Sequence, residues 1–233
     1  MREIILDTET TGLDSRLDRI IELGGVELVN KFPTGRTFHE YINPGDRKVH
    51  PEAQAIHGIS DADLVGKPSF SDIAGAFLEF IEGAHVVAHN ASFDASFINA
   101  ELERIGANLI TQDRVIDTLA IARRKHPMGP NSLDALCRRY GIDNTHRTLH
   151  GALLDSELLA EVYIELIGGR QAALGLDVAA TEEAASETAV VTVAVGARPN
   201  PLPSRLSEDE VEAHARLVRK LGESAIWLKT GTD

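Results

Sequence analysis

The sequence has a single cysteine, Cys137, in 233 residues. That excludes an internal disulfide framework and any zinc site built from several thiolates, and it fits a reducing compartment. Cys137 is expected to be an ordinary packed residue. Long apolar runs are also missing. Nothing approaches the roughly 18 residues that span a bilayer, and Met1, Arg2 and Glu3 followed by Ile4 to Leu6 are too short a stretch for a secretory signal. The expected location is the cytoplasm. Basic residues are the third shortage: 23 Lys and Arg stand against 36 Asp and Glu, a formal net charge of −13. A protein that held nucleic acid mainly by neutralising phosphates would be basic. If this chain handles nucleic acid, bound cations, a local basic rim or a partner subunit must supply the positive charge.

What is present suggests one compact domain plus an appendage. Residues 1 to about 168 mix strand and helix signals. Ile4, Ile5 and Leu6 are a continuous apolar run, as in a central strand covered on both faces. Segments 19–29 and 36–42 read as strands that follow at hairpin-like distance, with Gly24 and Gly25 as a bulge and Asn43, Pro44 and Gly45 as a turn. Helical patterns cover about 70–82, 92–105, 115–125, 132–140 and 151–167, and a short strand, His85 to His89, lies between the first two. Strands first and strand–helix alternation later argue for a mixed sheet flanked by helices.

Residues 177–204 are rich in Ala, Glu and Pro with few large apolar side chains, the composition of a linker. Only Ala189 to Val195 within it is strand-like. Beyond it, Ser207 and Glu210 have capping-box spacing, and Val211, Ala215, Val218 and Leu221 recur at helical intervals, with Ile226, Trp227 and Leu228 following. Some thirty residues cannot bury a core of their own, so this segment reads as a docking peptide on a tether. The alternative is a tail that folds back on the main domain.

Three segments carry the chemistry. Asp7 and Glu9 stand two apart at the end of the central strand, so strand periodicity aims both carboxylates to one side; Thr10, Thr11, Gly12 and Leu13 follow as a turn. In HVVAHNASFDASF, from His85 to Phe97, Asp94 falls in the first turn of a helix, where it could equally be a charge placed for the macrodipole. In RTLHGALLDSELLAEVY, from Arg147 to Tyr163, His150 sits on the lead-in to a leucine-rich helix that carries Asp155. A carboxylate in such apolar company must be paired or metal-bound. Four acids and one imidazole are the equipment of two-metal phosphodiester hydrolysis. If the acids converge, each pair at about 4 Å repels by roughly 4 kcal/mol at an effective dielectric of 20. Bound cations or protonation must offset this. Oxygen ligands without thiolate favour Mg2+ or Mn2+ over zinc.

The segments ILDTETTGLD, VVAHNASFDASFINAEL and RTLHGALLDSELLAEVY resemble, in order, the three motifs of the DEDDh 3′–5′ exonucleases. The resemblance covers residues 1 to about 168. It implies a ribonuclease H-like fold, α/β with a mixed five-stranded sheet flanked by helices. It also implies that Asp7, Glu9, Asp94 and Asp155 hold two divalent ions and that His150 is the general base. Glu52, His57, Phe93 and the turn residues Thr10, Thr11 and Leu13 would contact the terminal nucleotide together with Asp7, Glu9 and Asp155. His57 could instead be a helix-terminal residue and Phe93 a core aromatic, and His85 and His89 match no catalytic position.

SLDALCRRYGIDNTHRTLHGALLD and VHPEAQAIHGI bring the likeness closest to members that proofread as subunits of a bacterial replicative polymerase. This implies a nuclease domain at 1–170, a linker at 171–204 and a polymerase-docking segment at 205–233. Gln171, Leu174 and Leu176 resemble the short peptide that engages a sliding clamp. A proofreader needs little affinity of its own, because tethering to the polymerase supplies a high effective concentration of primer ends, and a frayed 3′ end costs less to unpair than a matched one. Competing expectations are an RNA-trimming exonuclease of the same group, for which the tether has no use, and a non-catalytic binding subunit, which would not need all five active positions filled.

Overall fold

The computed structural model describes residues 1–147, 149–168 and 207–222. Strands β1 (Arg2–Thr10), β2 (Ile20–Val29), β3 (Phe32–Tyr41), β4 (His85–Ala88) and β5 (Val115–Asp117) form one sheet in the order β3-β2-β1-β4-β5. Pairing is antiparallel across β1–β2 and β2–β3 and parallel across β1–β4 and β4–β5, the mixed five-stranded sheet that was expected. Around it are α1 (Pro51–His57), α2 (Phe70–Ile81), α3 (Ala91–Arg104), α4 (Thr118–Lys125), α5 (Leu133–Tyr140) and α6 (Ala152–Leu166).

The run at the start of β1 explains the two-sided burial. Ile4 and Leu6 pack with Phe70, Phe77, Phe97 and Ile98, on α2 and α3. Ile5, one residue out of phase, packs with Leu136, Leu159 and Val162, on α5 and α6. All three are fully buried. The same alternation runs on into the polar end of β1. Asp7 and Glu9 share the parity of Ile5, the α6 side, and Thr8 shares that of Leu6, the α3 side.

β2 and β3 are joined by a two-residue turn, Asn30 and Lys31, both at positive φ (52° and 71°), the conformation whose twist suits a tight hairpin. The second strand therefore begins at Phe32, four residues before the sequence pattern placed it. Gly24 and Gly25 lie in regular register opposite Asp7 and Leu6, and the irregularities fall elsewhere, after Glu9 and after Val26. They are not the bulge expected. A Cβ on Gly24 would overlap the backbone of Ala152 and Leu153 at the start of α6, and one on Gly25 would press on Leu6 and Phe80. Both glycines allow close approach. Val115–Asp117, taken with the following helix in the sequence pattern, is a separate strand that precedes α4. α1 was absent from the helical patterns, although His57, offered as a helix-terminal residue, is indeed its last. It opens with Pro51 and closes at Gly58 with φ 77°.

The chain divides into one unit ending at Leu176 and another from Asp177. In the second, Ser207 and Glu210 form the expected capping box at the start of α7 (Glu208–Leu221), on which Val211 and Leu217 are about half exposed. The linker, the clamp-like residues Gln171, Leu174 and Leu176, the run Ala189 to Val195 and the apolar residues Ile226, Trp227 and Leu228 lie outside the described residues.

Candidate active site

The parallel strands β1 and β4 end at one edge of the sheet, and a cleft of about 630 Å3 opens there. Asp7, Glu9 and Asp94 line it, together with His150. Asp94 is buried on the first turn of α3 and accepts a hydrogen bond from Thr8 Oγ1 at 2.8 Å. Asp155 is buried on α6; one ligand atom each from Glu9, His150 and Asp155 falls within 4.8 Å of the others. The three sequence segments thus meet, and the imidazole stands beside the acids with Nδ1 3.3 Å from Asp155 Oδ2. The His150 ring is half exposed, on a segment pinned to α1 by its backbone N–H, which donates to the Ile56 carbonyl at 3.2 Å.

The acids destabilise each other's anions. Burial, and then the charges of Asp94, Glu9 and Asp155, hold Asp7 well above the ordinary carboxylate range. Burial, followed by Asp155, Glu22 and Asp94, raises Glu9 to about 8. Burial raises Asp94 to about 7 in spite of the hydrogen bond from Thr8. Asp155 goes the other way. Burial would raise it, but hydrogen bonds from His150 and Arg147 outweigh that and lower it. The Arg147 guanidinium grips both Asp155 oxygens through Nε and Nη2, donates to Asp134 Oδ1 at 2.8 Å and places Nη2 2.8 Å from His150 Nδ1. Sequence reasoning missed it. Its partners lie eight and thirteen residues away across a loop, a separation that no helical or strand period marks.

These residues fit divalent cations. Asp7, Glu9 and Asp94, whose ionisation is opposed mainly by desolvation and by neighbouring acids, require positive charge among them, and the fourth acid, Asp155, already carries a guanidinium. Glu9, Asp155 and His150 offer hard oxygen and imidazole donors, and Asp7 and Asp94 add carboxylates in the same cleft.

Of the residues expected to meet substrate, Thr10, Leu13, Glu52, His57 and Phe93 line the cleft. Leu13 is 84% exposed on the turn after β1, a large apolar side chain displayed to solvent at the mouth of an acidic site. His57 is buried and its Nδ1 accepts from the Ile59 N–H at 3.0 Å, which leaves the hydrogen on Nε2. That Nε2 has no hydrogen-bond partner of good geometry, although the Thr10 carbonyl is close enough to oppose the downward effect of burial on the ring's pKa. Thr11 is placed differently. It is fully buried outside the lining, and its hydroxyl donates to Asp18 and accepts from the Arg19 N–H. His89 also lines the cleft, with both ring nitrogens engaged: Nδ1 meets Thr118 Oγ1 and Nε2 meets the Asn131 carbonyl, both at 2.9 Å.

Comparison with known proteins identifies the family. The profile of the family described as Exonuclease (RNase_T) matches residues 4–163. The chain is 44% identical over 242 residues to the DNA polymerase III subunit epsilon of Salmonella typhimurium strain LT2, covering 97% of each chain. It is 54% identical over 177 residues to the subunit of that name from Rickettsia conorii, covering 74% of this chain and 76% of the other. Among solved structures it is similar to exonuclease X in complex with 5′ overhanging duplex DNA, with a TM-score of 0.57, 28% identity, and coverage of 71% and 91%.

Proposed function

The chain belongs to the exonuclease family and, within it, to the DNA polymerase III epsilon subunits, which makes it a 3′–5′ proofreading exonuclease; from this premise we propose that the hydrolysis is carried by Asp7, Glu9, Asp94, Asp155 and His150. The observation that supports this is the meeting of Glu9, Asp155 and His150 within ligand distance, beside Asp7 and Asp94 in one cleft. We assign Asp7, Glu9, Asp94 and Asp155 as the residues that hold two divalent cations, Mg2+ or Mn2+. When bound, such ions polarise the attacking water and the scissile phosphate and stabilise the departing 3′ oxygen.

His150 is the general base. A neutral imidazole accepts a proton at physiological pH, which a carboxylate committed to a cation does poorly. Its ring is exposed enough to reach water, and Asp155 beside it stabilises the imidazolium that forms. Arg147 Nη2 lies 2.8 Å from Nδ1 and 3.2 Å from Nε2, so the ring must turn from the guanidinium to offer a free lone pair to the water. The His57 ring, its Nε2–H buried, lines the cleft that takes the terminal nucleotide, and Phe93 and Leu13 offer apolar surface to its base or sugar. The product is a nucleoside 5′-monophosphate.

The C-terminal segment 205–233 docks on the alpha subunit of DNA polymerase III, and Gln171, Leu174 and Leu176 engage the sliding clamp. The near full-length match to the Salmonella protein, tail included, supports the first assignment. No helix among the described residues is long and apolar enough to cross a membrane.

The test compares the purified chain with Asp7→Ala and Asp155→Ala on end-labelled DNA and RNA oligomers of one sequence, with Mg2+ and with chelator. Release of deoxynucleoside monophosphates should be metal-dependent, faster on DNA than on RNA, and absent from both variants while their circular dichroism is retained. Hydrolysis by Asp7→Ala at the wild-type rate refutes the assignment.

A further inference from the structure

The cleft described above is lined by six acids, Asp7, Glu9, Asp14, Asp18, Glu52 and Asp94. Among the described residues that line it, Arg47 is the sole Arg or Lys. A strand of DNA enters as a polyanion, and cations at the four metal-site acids can answer only the phosphate being cut. The phosphates upstream need a donor of their own.

Arg47 is built for this. Its Nε and Nη2 both donate to Asp18 Oδ1, at 2.8 and 2.7 Å, and Nη2 also meets His50 Nε2 at 2.8 Å. Of the five guanidinium N–H groups, the two on Nη1 have no partner among the described residues. Since His50 Nε2 accepts from Arg47, His50 Nδ1 carries a hydrogen and is a further donor, on a ring 52% exposed. Asp18 is no mere counter-ion awaiting an arginine. It also accepts from Thr11 Oγ1 at 3.1 Å and the Asp14 N–H at 3.0 Å. Asp18 is 4% exposed and Arg47 is 36% exposed, so the carboxylate acts as an inner brace that aims an outer guanidinium.

The pair is tied to the catalytic strand. The His50 N–H donates to the Thr11 carbonyl at 2.9 Å, and Thr11 is two residues past Glu9, about 7 Å along an extended chain. Gly12 permits the approach: a Cβ there would lie 2.8 Å from His50 Cδ2 and 2.5 Å from Asp18 Oδ2.

We infer that Arg47, braced by Asp18 and assisted by His50, binds a phosphodiester of the DNA strand upstream of the bond being hydrolysed. This rests on the nuclease reading of the same cleft, and it extends that site by a subsite that holds the polymer and not the terminal nucleotide. It also supplies the local basic rim that an acidic nuclease lacks elsewhere in the cleft.

The experiment compares two substrates for wild type, Arg47→Ala and Arg47→Lys: a single-stranded DNA oligomer, and the p-nitrophenyl ester of thymidine 5′-monophosphate, which has no upstream phosphate. Arg47→Ala should raise KM for the oligomer about five-fold more than KM for the ester, the order expected of one lost charge-assisted contact at a half-exposed site. Arg47→Lys, which keeps the charge beside Asp18 and guards against a folding defect, should lie between. The slope of log KM for the oligomer against log salt should flatten by about 0.7 in Arg47→Ala. Equal changes in KM on the two substrates, or an unaltered salt slope in both variants, overturn the inference. A wild-type protein that cleaves neither substrate would instead refute the nuclease assignment itself.

Discussion

Asp155 gives both its oxygens to Arg147, and the pair is nearly sealed from solvent, with side-chain exposures of 4% and 7%. Removing one member of a buried pair costs far more than a surface ion pair contributes. Arg147→Met should therefore destabilise the metal-free protein by roughly 3 kcal/mol, and Mn2+ should recover more of the unfolding temperature in the variant than in the wild type. Equal recovery would mean that the guanidinium and the cations do not compete for Asp155. Glu9 and Asp94 predict a pH dependence. Their pKa values in the fold, about 8 and about 7, lie above those of the free side chains, so the fold binds their protons more tightly than the unfolded chain does. The stability this contributes is complete below the unfolded values and is lost as pH rises through 7 to 8. His57, His89 and His126, whose pKa values burial lowers, act in the opposite sense. The metal-induced rise in melting temperature separates the two: it should be larger at pH 8 than at pH 6, and a rise of the same size at both would count against the shared cation site. Strand period and helix position singled out the acids in the sequence, but only the resemblance of the three motifs grouped them into one site. Thr8, Arg147, Arg47 and His50 were not legible there, since each acts through a contact that only the folded chain makes.

At the scale of the element, Gly24 joins two parts of the site. It is paired with Asp7 across β1–β2, and its missing side chain is where the backbone of α6 begins. A methyl group there must push α6, and with it Asp155, away from the sheet. Gly24→Ala should cost about 2 kcal/mol in urea unfolding and lower exonuclease activity more than that loss of stability explains, measured where the variant is fully folded. Full activity in a folded Gly24→Ala would show that α6 has more freedom than its packing implies. The sequence read these glycines as a bulge because the pattern along one strand holds no information about a helix more than a hundred residues later. β5 was hidden for a related reason. Three residues, Val115 to Asp117, continue smoothly into a helical period, and only pairing with β4 makes them a strand. The seven-residue α1 did leave a mark, Pro51 at its first turn and Gly58 just past its end, a bracket that propensity alone passes over.

For the whole molecule, the net charge of −13 and the acidic cleft mean that the isolated chain should hold DNA weakly. Tethering should matter more than intrinsic affinity. A chain truncated after about residue 180 is expected to keep its activity on short single strands and to lose co-elution with the alpha subunit of DNA polymerase III; a truncated chain that still co-elutes would move the docking surface onto the nuclease unit. The four acids are contributed at positions 7, 9, 94 and 155, and the imidazole at 150. During translation, the proposed site therefore stays incomplete until the start of α6 has been made. On the proposed assignment, a chain that lacks α6, the last helix of the domain, holds an incomplete site and should be without exonuclease activity.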